Sequence, residues 1–361
     1  MRKILHILLF IFSALHLHAL SMDYRLSGRA GWLMPDGKVD KSIQQDGQWI
    51  GPAYSADFSV TFRPDWSALQ QWNGTGVGVG FSYWHLPHQL LGQAFAPYAY
   101  MDIPLVKRPH FVLGIRPGVG AAFMTKTYQN TVAEEDRYNN LNNANQSIGS
   151  MTNLYFPEML YMDFPIAKGW AVGIAGGWHH ISNGSIRQPN SGYNLFAAEV
   201  ALRYTPTPSS VIQSQSPMAK IPSPIAKPWS IAIAGTAGGR QVFYRDQQSF
   251  FVGSMHVAAY WHAPPIFHVG GGVDVFYDGA YVPRETYFQK TNLAAAKEGD
   301  CWRVGVSVQP TFVVGDFSLG LHLGAYMYDP VKELEPYNEA SQTGRLDKPI
   351  FYAYDLLKAG S

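Results

Sequence analysis

The sequence predicts an all-β fold, an antiparallel transmembrane β-barrel of about 14 strands. Three observations predict it. Bulky apolar residues alternate with small or polar ones in segment after segment. Beyond the N-terminal segment no run of about 18 apolar residues exists, so no membrane helix is expected. The connections between segments switch between tight and long. A chain that enters a bilayer without helices must close its strands, because every backbone N–H and C=O in hydrocarbon needs a partner.

Composition agrees with a lipid-facing wall. Among 361 residues, Lys+Arg is 27 and Asp+Glu is 26, which excludes a strong field for nucleic acid. Charged residues are only 15%, aromatics are 14%, and glycine contributes 35 residues. The lone cysteine, Cys301, can form neither an internal disulfide nor a thiolate metal cage, and it reads as a small strand residue.

Residues 1–21 read as a signal peptide. Met1-Arg2-Lys3 supplies positive charge, Ile4 to Leu17 is largely apolar, and Ala19 and Ser21 are small, so cleavage is expected after Ser21. This export route ends in the cell outer membrane.

The strands follow in order. Phe58, Val60 and Phe62 alternate with Asp57, Ser59, Thr61 and Arg63, and Val77, Val79, Phe81 and Tyr83 with Gly76, Gly78, Gly80 and Ser82. Trp302, Val304, Val306 and Val308, then Phe317, Leu319, Leu321 and Leu323, repeat the pattern later. Period two sends one set to lipid and the other to the lumen. Strands are expected near 23–34, 52–64, 75–86, 93–104, 110–123, 152–166, 170–183, 193–205, 229–240, 249–262, 266–278, 301–314, 317–328 and 349–357. Tight connections fall at Lys107-Arg108-Pro109, Lys168-Gly169, Ala263-Pro264-Pro265 and Gly315-Asp316, all after even-numbered strands. Long polar segments 35–48, 124–151, 279–300 and 329–348 follow odd ones. Short turns belong to the periplasmic end, so the seventh strand ends at the outer surface. The Pro/Ser-rich stretch 206–228 reads as a linker between a barrel region, 22–205, and further strands, 229–361. Tyr83, Trp84, Tyr98, Tyr100, Tyr260 and Trp261, near strand ends, are expected in aromatic girdles.

The chemistry sits on the seventh strand. Trp170, Val172, Ile174 and Trp178 form its bulky face, and His180 and Ser182 continue that face. A histidine beside a serine on a lipid-facing stripe suits a base and nucleophile acting on a membrane ester. The plain alternative is a polar pair at the barrel rim.

The run His180-Ile181-Ser182-Asn183-Gly184-Ser185-Ile186-Arg187-Gln188-Pro189-Asn190-Ser191-Gly192 closely resembles the signature of the PagL lipid A deacylase family. The resemblance covers roughly residues 22–205, with about eight signature positions matched in order. It implies an outer-membrane barrel that hydrolyses the ester-linked acyl chain at the 3-position of lipid A, within lipopolysaccharide, without a cofactor. It also implies Ser182 as nucleophile, His180 as base, and Asn183 and Gly184 at the oxyanion hole. Where the family has a triad glutamate, this chain has Asn194. An amide oxygen can still fix the imidazole tautomer, but it supplies no charge. Glu199 lies on the opposite face by parity, and Glu158 on the sixth strand is a further candidate acid. The added strands make the chain similar to longer barrels named acyloxyacyl hydrolases.

No metal is expected. His85-Leu86-Pro87-His88 has no nearby acid and reads as a turn. Glu134-Glu135-Asp136-Arg137 reads as a solvated loop or a head-group contact, and the triplets at Asn73 and Asn183 as chance. Two further readings differ in class from the esterase: a passive porin-like or surface-binding barrel, and a scaffold in which only residues 229–361 matter. Residues 1–21 carry the export signal, so deleting them should leave the protein in the cytoplasm. Fractionation and immunoblotting check this, and export of the truncated chain would refute it.

Overall fold

A computed structural model describes residues 19–34, 52–64, 73–131, 145, 147–206, 228–241, 249–263, 267–282, 299–314, 317–330 and 351–359. The signal segment up to residue 18, the acidic run 134–137 and most of the 206–228 linker lie outside the described residues. The chain divides into two compact units, Met1–Ala219 and Lys220–Ser361.

The first unit contains β1 (Ala19–Leu33), β2 (Ala53–Pro64), β3 (Gly76–His85), β4 (Gln93–Arg108), β5 (Phe111–Met124), β6 (Thr152–Ala167), β7 (Trp170–Ser182) and β8 (Tyr193–Tyr204). A one-turn helix, α1 (Tyr128–Thr131), follows β5. All eight strands run antiparallel in sequence order, and β1 pairs with β8 from Tyr24↔Tyr204 to Leu33↔Leu195, which closes the barrel. Closure removes both sheet edges. The expected cleavage position, Ser21, precedes the first β1–β8 pair, so removing residues 1–21 leaves that seam whole.

The second unit contains β9 (Trp229–Arg240), β10 (Phe250–Ala263), β11 (Phe267–Asp278), β12 (Trp302–Val314), β13 (Phe317–Tyr328) and β14 (Phe351–Ala359). These form one antiparallel six-stranded sheet in sequence order. The expected fourteen strands are therefore present, but the described ladders divide them eight and six. The reason is the closing seam: β8 spends its free edge on β1, so the ninth strand starts a new sheet.

Parity decides the two faces of the barrel wall. Leu26, Phe58, Phe81, Leu160, Ile174, Phe196 and Val200 are exposed, as a lipid-facing band requires. The opposite parity carries an ion network. Arg25 reaches Asp163 at 2.7 Å and Glu199 at 2.9 Å, and Arg29 reaches Glu199 at 2.7 Å and Asp57 at 3.2 Å. Arg63 bridges Asp23 and Asp102, Arg116 sits between Asp102 and Asp163, and Arg203 meets Asp163 at 3.2 Å. Five arginines thus face five carboxylates, and these ten side chains are at most 17% exposed. Arg116 also stacks on Tyr161, 4.1 Å from the ring centre. A cavity of about 20 Å³ lies among Arg25, Arg29, Asp57 and Glu199, room for one water rather than a channel.

The girdle expectation fails for four residues. Trp84, Tyr100 and Tyr260 are buried, and Tyr98 donates to Asp57 at 2.9 Å. The cause is parity again, because Trp84 follows Tyr83 and Tyr260 precedes Trp261, so neither pair can share a face. Gly78 and Gly80 on β3 leave the space that the rings of Tyr100 and Tyr98 fill.

Glu199 is the shared acceptor of two buried arginines, so Glu199→Ala should cost about 3–5 kcal/mol by stranding them. Val200→Arg, one residue along but lipid-facing, should cost about 2–4 kcal/mol through a different term. Urea unfolding in detergent or lipid checks both, with Val200→Ala as control. A Glu199→Ala barrel as stable as wild type would show that the network holds nothing.

Candidate active site

The β7 side chains alternate as the sequence suggests. Ile174 and Trp178 are exposed, while Ala171, Gly173, His179 and Ile181 are buried. His180 and Ser182 stay on the outward parity and are half-buried. His180 is flanked by aromatic rings. It stacks on Trp178 with centroids 5.2 Å apart, and Phe156 across the β6 ladder lies at 6.2 Å. These rings fix the imidazole plane on the membrane side of the wall.

The hydrogen bonds complete a chain of three side chains. His180 Nε2 lies 2.7 Å from Ser182 Oγ, and His180 Nδ1 lies 2.8 Å from Asn194 Oδ1. Asn194 is the direct ladder partner of His180 on β8, so register alone delivers it. An amide oxygen can only accept, so Nδ1 must carry the proton. That leaves the Nε2 lone pair facing the serine hydroxyl, which is the tautomer a general base needs. Glu158 pairs in the ladder with Trp178 rather than with His180, and Glu199 points into the lumen. Glu199 thus lies away from the Nδ1 position that Asn194 fills.

The loop after β7 turns back at Asn183. Its N–H donates to Asn190 Oδ1 at 3.0 Å, and its amide donates to Ser150 Oγ at 2.7 Å and to the Arg187 carbonyl at 2.9 Å. Asn183, expected beside the oxyanion, therefore spends its donors on holding the loop. Gly184 has φ +63, a conformation that glycine adopts without penalty, and open space lies where a Cβ would stand. Among the described residues no hydrogen bond engages its N–H.

Sequence reasoning missed the shelf beneath this loop. The tail of 124–151 reads as solvated, yet Asn145, Ser147 and Ile148 are buried. Asn145 donates to Tyr193 Oη at 2.8 Å, Ile148 bridges to Asn190, and the Ser147 carbonyl accepts from Gly192 N–H at 3.1 Å. The signal available was the β-branched, apolar Ile148 inside an Asn/Ser-rich stretch. Gly192 itself has φ +75, and a Cβ there would stand 3.2 Å from both His180 Cε1 and Ser182 Cβ.

Two family models match the chain. The one described as lipid A 3-O-deacylase (PagL) covers residues 54–203. The one described as acyloxyacyl hydrolase, C-terminal domain, covers residues 229–347. No curated protein matched the sequence. Among solved structures, the outer membrane enzyme PagL is 18% identical, covering 49% of this chain and 97% of that one, with a TM-score of 0.30. Neisserial surface protein A is 10% identical, covering 51% and 96%, with a TM-score of 0.30. Ail of Yersinia pestis is 8% identical, covering 51% and 97%, with a TM-score of 0.27.

The close approach at Gly192 gives a test of positioning. Gly192→Ala, strained by its positive φ and by the Ile181 carbonyl 2.9 Å from the new Cβ, should shift the imidazole and serine by a few tenths of an ångström and lower ester hydrolysis. Gly28→Ala, where a Cβ meets nothing within 4 Å, is the control. Steady-state hydrolysis of a long-chain ester by folded barrels checks this, and equal rates would contradict it.

Proposed function

The chain belongs to the PagL lipid A 3-O-deacylase family, outer-membrane ester hydrolases, and from that premise we propose that His180 and Ser182 cleave an ester-linked acyl chain from lipid A. The observation that carries this reading is the Asn194–His180–Ser182 chain of hydrogen bonds on the membrane-facing side of the wall. Lipopolysaccharide presents its acylated sugars at that surface.

Ser182 Oγ attacks the acyl carbonyl while its proton passes to His180 Nε2. The carbonyl electron pair becomes an oxyanion. Gly184 N–H is the donor that meets it, and Asn183 holds the loop that aims Gly184. The intermediate collapses, the sugar oxygen leaves with the proton from Nε2, and an acyl-serine remains. Water then attacks, His180 takes its proton and passes it to the departing Ser182 Oγ, and release of the fatty acid leaves both residues in their starting state. Side chains and water account for every proton, so the cycle calls on no cofactor.

Asn194 fixes the tautomer but offers no negative charge to the imidazolium. The barrier is therefore higher than a carboxylate at this position would give. The porin-like reading fares less well for the first unit, whose lumen is filled by paired arginines and carboxylates.

Mass spectrometry of lipid A incubated with the protein tests the proposal. Wild type should release one fatty acid, the 3-linked chain. Ser182→Ala and His180→Ala should each abolish release while the barrel stays folded and heat-modifiable. Asn194→Ala should slow release, and Asn194→Glu should speed it by adding charge. Unchanged release by folded Ser182→Ala would overturn the assignment.

A further inference from the structure

The inner parity of the second unit collects histidines that the proposed hydrolysis does not use. His256 on β10, Asp274 on β11 and His322 on β13 are all buried, with 7%, 2% and 2% exposure. His256 Nδ1 lies 2.6 Å from Asp274 Oδ1, and His322 Nε2 lies 3.2 Å from Asp274 Oδ2. One carboxylate thus draws two imidazoles toward it, and their ligand atoms lie within 4.8 Å of one another. The rings meet edge to face at 4.8 Å.

From this geometry we propose that His256, Asp274 and His322 bind one divalent transition-metal ion of the zinc class. Two imidazole nitrogens and one carboxylate oxygen form a ligand set suited to Zn²⁺, Fe²⁺ or Co²⁺ rather than to Ca²⁺ or Mg²⁺, which prefer all-oxygen cages. Three protein ligands leave one or more positions open to water or another ligand. Metal–nitrogen and metal–oxygen bonds of about 2.0–2.2 Å replace the proton now shared between His256 and Asp274, so the ligand atoms need only small adjustments. That proton moves to Nε2 of the same ring, so the imidazole binds the ion in its neutral form.

The surroundings of His256 support the same reading. Metal-bound histidines usually donate their other N–H to a fixed acceptor. His256 Nε2 lies 2.9 Å from Gln309 Nε2, and Tyr260 hydroxyl bonds the other end of that amide. With the imidazole bound through Nδ1, Nε2 carries the proton and needs an acceptor. Turning the Gln309 amide by half a turn presents its oxygen to His256, and the Tyr260 hydroxyl then accepts from the amide nitrogen. The hydroxyl can donate or accept, so the network serves both the free and the metal-bound site. Gln309 is a positioning residue on this reading, not a ligand.

The test uses the full chain, folded in detergent, without a histidine tag. After treatment with chelator and removal of the chelator, the protein is dialysed against Zn²⁺ or Co²⁺, and bound metal is measured by elemental mass spectrometry. Wild type should retain close to one equivalent, and the Co²⁺ form should show visible absorption bands of a low-symmetry nitrogen/oxygen site. His256→Ala, Asp274→Asn and His322→Ala should each lose the ion. Gln309→Leu should keep it with about 10–100-fold weaker affinity. His180→Ala and the double variant His262→Ala/His268→Ala, whose rings stack elsewhere on the sheet, should bind like wild type. Heat-modifiable migration checks folding of each variant. Failure of folded wild type to retain either ion would overturn the proposal. So would binding that survives in the three ligand variants, or that disappears with His262 and His268.

Discussion

A strand in a closed barrel wall has two faces only, and residue parity decides which side chains meet lipid and which meet the lumen. Closure between β1 and β8 makes that choice strict, because a slip of one residue would turn Arg25, Arg29, Asp163 and Glu199 outward into hydrocarbon. The buried ion network and the apolar outer band thus enforce the same register from opposite sides. His179 and His180 show the consequence. The first is fully buried and bonds Tyr155 at 2.8 Å, while the second faces the membrane side and bonds Ser182.

Much of this was legible in the sequence because it depends on period two. The strand positions, the tight turns at 107–109 and 168–169, and the shared face of His180 and Ser182 all follow from local alternation. The break after the eighth strand was legible in the Pro/Ser-rich stretch 206–228, but the closure of β1 on β8 was not, since it is a pairing between distant segments. The same limit hid the lumen network. Arg25 finds Glu199 and Asp163 at separations of 174 and 138 residues, which no local pattern encodes. The aromatic assignments failed where the position of a residue near a strand end was used without its parity, as at Trp84 and Tyr260. The three residues proposed as metal ligands stand on three strands, 18 and 48 residues apart, so no spacing motif announces them.

Asn194 is where this chain departs most from a Ser-His-carboxylate arrangement. Its position is fixed by the β7–β8 ladder, so orientation of the imidazole costs the site no flexible side chain. What is missing is charge. Orientation and charge are separable contributions of a triad's third member, and in the proposed site Asn194 supplies the first without the second. The Asn183 clamp and the buried Asn145 and Ile148 serve the same end, since they make the loop after β7 part of the folded wall rather than a free excursion.

The central claim is that Ser182 is an activated nucleophile reached from the membrane. A long-chain alkyl fluorophosphonate, delivered to the folded protein in detergent or lipid, tests it most directly. Peptide mapping should find one adduct, on Ser182, absent from His180→Ala and slower in Asn194→Ala. An adduct on another serine, or none at Ser182 in a preparation that still deacylates lipid A, would contradict it.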